Sequence, residues 1–140
     1  MQSGPHKLVT HMECVLSGDN YKNCEIASSS ARDGGVRIKP NVALTQGHWR
    51  VLELAKFDAE KSRPWFEVNR GEPYSWIGAA ATKLTVFQFL ALAMRGFFCN
   101  WACLASCGLY DAYKETPSES VDRLVRDFGA IDITEQFFKD

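Results

Sequence analysis

A transmembrane span is missing from this sequence. Its strongest apolar run, Leu84 to Met94, is broken by Arg95 with Asn100 beyond it, whereas a bilayer-crossing helix needs about 20 consecutive apolar residues. The opening MQSGPHKLV has none of the apolar character of a secretory signal. Neither sign of charge is in excess, with 16 Lys and Arg against 17 Asp and Glu, so no global field draws in nucleic acid or an anionic membrane. Catalytic signatures are also missing. Gly34-Gly35 and Gly71 fit neither a P-loop nor a dinucleotide fingerprint, there is no serine elbow or HExxH, and the pairs Asp58/Glu60 and Asp19/Glu25 have no distinguishing spacing. The cysteines number five, an odd count without the spacing of a disulfide framework, which implies a reducing compartment, cytoplasm or nucleus. No cofactor is implied, and no linker or repeat divides residues 1–140, so the expectation is a single domain.

What is present is an apolar segment that dominates the chain. From Leu84 it continues past Gly96 into Phe97, Phe98, Trp101, Leu104 and Leu109. At 100° per residue, Thr85, Gln88, Arg95, Cys99 and Ser106 fall in one narrow stripe and the other directions are apolar, as in a buried helical region. The first half reads differently. Lys7 to Leu16 alternates as a half-buried strand, Ser17-Gly18-Asp19-Asn20 supplies a turn, and Tyr21 to Ser28 returns as a partner. Pairing Leu16 with Tyr21 sets Cys14 opposite Asn23 and Cys24 opposite Glu13, with the two thiols on opposite faces. Ser28 to Gly35 reads as a flexible loop, and Val36 to Lys39 as an edge strand ended by Pro40-Asn41. Gln46 to Lys61 reads two ways, as a helix, which its propensities favour, or as a strand with Trp49, Val51, Ala55 and Phe57 at period two; Pro64 ends it, with Trp65 to Asn69 as a last strand. Ser75 is a candidate helix cap. The clearest local signal is Thr116-Pro117-Ser118-Glu119, a capping box with proline at the first helical position. Val121, Leu124, Val125 and Phe128 follow at helical spacing, and Gly129 stands at the C-terminal cap. The tail reads as a strand through Ile131 and Ile133 or a short helix after Thr134.

Cys99, Cys103 and Cys107 recur every fourth residue and share a helical stripe. The outer two would lie about 12 Å apart along the axis, against a zinc–sulfur bond of about 2.3 Å, so the expectation is no metal. A two-thiol site completed by His11 or His48 is the remaining metal arrangement. His48 as base with Cys99 or Cys103 as nucleophile is the one enzyme arrangement, a cysteine hydrolase. It sets the thiols in apolar surroundings that raise rather than lower their pKa.

Aromatic pairs and arginines converge between Arg63 and Trp76. Adjacent aromatics point in different directions, so part of each pair can stay outside a core, and aromatics with arginine are the usual composition of binding hot spots. The candidate partner-binding residues are Arg63, Trp65, Phe66, Arg70, Tyr74 and Trp76. One resemblance bears on the same region: Ser75, Ala80, Leu84, Val86, Leu90 and Met94-Arg95-Gly96-Phe97-Phe98 resemble a winged-helix scaffold over about 25 residues. That resemblance implies nucleic-acid binding through a helix starting near Thr85, but Phe87, Gln88 and Ala91 would face the groove with few base-reading groups. A carrier of an apolar small molecule would need a polar anchor, and none stands out.

The expected architecture is α+β, a small, mostly antiparallel sheet from the N-terminal half packed against a long apolar helical region and a C-terminal amphipathic helix. The expected function is a nonenzymatic module that binds and occupies a protein partner, with homodimer formation open and no membrane. The alternatives are a winged-helix-like nucleic-acid regulator and a cysteine-nucleophile hydrolase.

Overall fold

The computed structural model describes residues 9–76, 99–108 and 115–140, except for the side chains of 19 and 99–101. Three strands, β1 (Cys14–Asn20), β2 (Asn23–Ser30) and β3 (Gly35–Val42), form an antiparallel sheet in the order β1-β2-β3. The architecture is α+β, as the sequence implied. The first turn lies at Tyr21-Lys22, not at Ser17 to Asn20, because the Asn20 carboxamide oxygen accepts the Lys22 amide at 2.9 Å and β1 runs on through two irregularities. Cys14 therefore pairs with Ala27 instead of Asn23. The two thiols still face opposite sides, Cys14 packing with Leu16 and Ala27, Cys24 with Ile26 and Leu44, and both are free.

Ser28 to Gly35 is not a flexible loop. β2 continues through Ser30, a tight turn follows with the Gly34 amide on the Ala31 carbonyl at 3.2 Å, and β3 starts at Gly35. Ser28 and Ser29 are wholly buried. Their small side chains, which read as loop composition, sit in the middle of the sheet where little room is left. β3 is an edge strand as expected, yet it carries past Pro40 to Val42, where a missing amide on the outer side leaves no ladder bond unmade.

Helix α1 (Ala59–Val68) replaces two expectations at once, the helix within Gln46 to Lys61 and the strand from Trp65 to Asn69. Asp58 starts it by accepting the Glu60 amide at 3.0 Å. Pro64 lies inside α1 without ending it. Residues ahead of Asp58 are held in extended form by β4 (Leu52–Glu53), which pairs with β5 (Ile131–Asp132). Helix α2 (Cys99–Ser106) packs on β2 and α1. Helix α3 (Pro117–Phe128) has the full capping box at Thr116 and Glu119, and Gly129 is left-handed at φ 65°. Val121 and Leu124 are buried, whereas Val125 is exposed. The tail realises both of its readings in turn, β5 and then α4 (Thr134–Phe137).

The sheet is covered on both sides. One cluster joins Cys14, Leu16, Ala27 and Val36 to Phe66 of α1 and Ala102 and Cys103 of α2. A second joins Cys24 and Ile26 to Leu44 and Phe138, with Trp49 and Val51 against them. Each large apolar side chain so buried contributes about 1.5–3 kcal/mol. A third cluster, Leu104, Leu124 and Ala130, ties α2 to α3. Among the described residues no helix is long and apolar enough to cross a membrane. The run from Leu84 to Met94 lies outside the described residues, as does the winged-helix resemblance apart from Ser75, which is buried.

Candidate functional site

Helix α1 has an inner and an outer side, and the candidate residues divide between them. Phe66 is wholly buried in the first cluster, so it belongs to the core and offers nothing to a partner. Trp65 is half-buried, packed on the same cluster with its ring edge-on to Phe66 at 5.1 Å. Two positions beyond Phe66, about 200° around the helix axis, Val68 is 83% exposed. The candidate list missed Val68 because a strand reading of Trp65 to Asn69 puts Phe66 and Val68 on one face. Reading the same residues at 100° per position separates them.

Both arginines are engaged. The Arg63 guanidinium donates from both terminal nitrogens to the Glu25 carboxylate, one contact at 2.9 Å, and Glu25 also accepts the Ser17 hydroxyl at 3.1 Å. Arg63 holds the Glu25 carboxyl below the usual carboxylate range, and the pair clamps α1 to β2. Arg70 donates to Glu67 at 3.0 Å on the exposed end of the helix.

The chain leaving α1 is then fixed to the sheet. The Gly71 amide donates to the Val36 carbonyl and the Val36 amide to the Glu72 carbonyl, both at 2.9 Å. This approach is so close that a Cβ on Gly35, whose φ is 117°, would lie 2.0 Å from the Glu72 carbonyl oxygen. Only glycine fits there. Beyond this anchor Tyr74 is half-buried, Ser75 buried and Trp76 70% exposed. The rings of Tyr74 and Trp76 meet edge-on with centroids 5.2 Å apart, a favoured aromatic arrangement that leaves most of the indole open to solvent.

His48 and Cys103 are not brought together. Cys103 is 2% exposed in the first cluster, its thiol donating to the Met12 carbonyl at 3.4 Å. His48 sits on an exposed turn, its amide on the Thr45 carbonyl at 3.1 Å, just before Trp49 on the opposite face of the sheet. Cys99 is the first described residue of α2, with its side chain outside the described residues. Burial pushes the Cys107 thiol up to about 12. His11 is bonded to Glu13 at 3.2 Å. Among the described residues no group of three or more His, Cys, Asp or Glu side chains could hold a metal ion.

No family model, curated protein or solved structure matches the chain.

Proposed function

We propose that this protein is a nonenzymatic interaction module that binds and occupies a protein partner through the outer side of α1 and the segment 74–76. The observation that carries this reading is the exposed indole of Trp76, braced by Tyr74 on a backbone anchored to β3. An indole already resting against a neighbouring ring has less conformational freedom to lose on binding, which lowers the cost of burying it. Val68 adds a second exposed apolar side chain, and half-buried Trp65 lies three positions before it on the same side of the helix. Arg63 and Arg70 already have carboxylate partners, so the surface suits an uncharged, apolar patch on the partner protein, with affinity that varies little with salt. A second copy of this chain would meet the same requirement and form a homodimer.

The test places a photoreactive residue at exposed Glu72, between Val68 and Trp76, and leaves both of them in place. It should give a protein adduct, to another protein or to a second copy, and Trp76→Ala or Val68→Asp in the same chain should reduce that adduct at least tenfold while the circular dichroism spectrum stays unchanged. Labelling from 72 no stronger than from exposed Lys56, or an adduct indifferent to both substitutions, would overturn the reading.

A further inference from the structure

The C-terminal end of α2 gathers sulfur and hydroxyl groups that the interaction surface does not use. The Cys103 carbonyl oxygen accepts the Cys14 thiol from β1 at 3.8 Å, the Cys107 thiol at 3.4 Å and the Ser106 hydroxyl at 2.7 Å. Two thiols on one oxygen are separated by no more than the sum of their distances to it. The thiol of Cys103 itself is engaged elsewhere, by the Met12 carbonyl, and Cys24 packs on the other face of the sheet. Cys107 follows the last residue of α2 and precedes Gly108, so a change of its side-chain torsion does not disturb a helical turn.

We infer that Cys14 and Cys107 are a disulfide-forming pair, a modification site that joins β1 to the end of α2 when the protein meets a peroxide. Cys107, the more exposed of the two, attacks a peroxide oxygen as its thiolate; the O–O bond breaks, hydroxide leaves and a sulfenic acid forms. The Cys14 thiolate then attacks that sulfur, the S–O bond breaks and a second hydroxide leaves. Two thiols lose two electrons, hydrogen peroxide gains them, and with the two thiol protons the products are one disulfide and two waters. Closure requires the sulfurs to move to about 2.05 Å. The groups shown acting on Cys107 are Cys14 of β1, Ser62 of α1 and Ser106 of α2. With its thiol pushed up to about 12, the thiolate is scarce at neutral pH, so the reaction is slow and accelerates about tenfold per pH unit from 7 to 9.

The experiment treats the full chain with hydrogen peroxide at pH 7, 8 and 9, quenches with an alkylating reagent in denaturant, and maps linked peptides by mass spectrometry. The expected result is an intramolecular Cys14–Cys107 link, formed faster at each higher pH. Cys107→Ser should abolish it, whereas Cys24→Ser should leave it intact. Mapping the unmodified chain decides the matter independently of how any variant folds. A link between any other pair, or no link at pH 9 while circular dichroism reports a folded protein, would overturn the inference.

Discussion

Among the described residues, Glu13 has the most enclosed carboxylate of the ion pairs, with 7% of its side chain exposed. Its Oε1 takes Lys39 at 3.1 Å and His11 at 3.2 Å, and Lys39 also reaches Asp33 at 3.1 Å. Burial by itself would raise the Glu13 carboxyl, but the contacts with His11 and Lys39 outweigh it and hold the group below its ordinary 4.5. A carboxylate whose folded pKa is depressed stabilises the fold above the unfolded pKa, and that contribution disappears as pH falls through the folded value. Lys39→Met leaves the charge enclosed with less compensation and should cost about 1–3 kcal/mol at pH 7. Urea midpoints should show the gap between variant and parent closing below pH 4.5, where Glu13 takes up a proton; a gap that stayed constant down to pH 3 would mean that the ion pair is not its source.

Elements differ in how much of their cause lies within a short stretch of chain. The signals for α3, from the Thr116 cap to Gly129, are local and act within the helix itself, so this helix was legible in the sequence. Glu119 returns a 2.7 Å bond to the Thr116 amide, and Thr116 Oγ1 accepts the Glu119 amide at 3.3 Å. Thr116→Ala should therefore cost about 1 kcal/mol, read as a lower melting temperature with Thr116→Ser restoring most of the loss. The stretch before α1 was not legible for the opposite reason. Its helix propensity is overridden by partners far along the chain: Leu52 pairs with Asp132, the Val51 amide donates to the Thr134 hydroxyl at 2.9 Å, and Arg50 meets Asp132 at 2.8 Å. The candidate surface was legible only as a segment. Arg63 to Trp76 could be picked out by composition, but the sorting of Phe66 inward and Val68 outward required knowing that the chain there is helical.

At the scale of the whole molecule, the sheet needs both of its covers. The first face is closed by α1 and α2, and the second is closed in part by the C-terminal tail, where Phe138 packs with Cys24, Ile26 and Leu44 while its ring meets Tyr21 at 5.2 Å. A tail that only decorated the surface could lose an aromatic ring without consequence. Phe138 is 5% exposed, and its removal would leave a cavity against Ile26 in the central strand. Phe138→Ala should therefore cost about 3–5 kcal/mol, and it should do so as one cooperative transition, with far-ultraviolet circular dichroism and tryptophan fluorescence giving the same urea midpoint. Trp49, on the second face, and Trp65, on the first, provide reporters for both sides of the sheet. If the two probes separated, the covers would be independent units, and the exposed indole of Trp76 would rest on α1 and β3 without support from the tail.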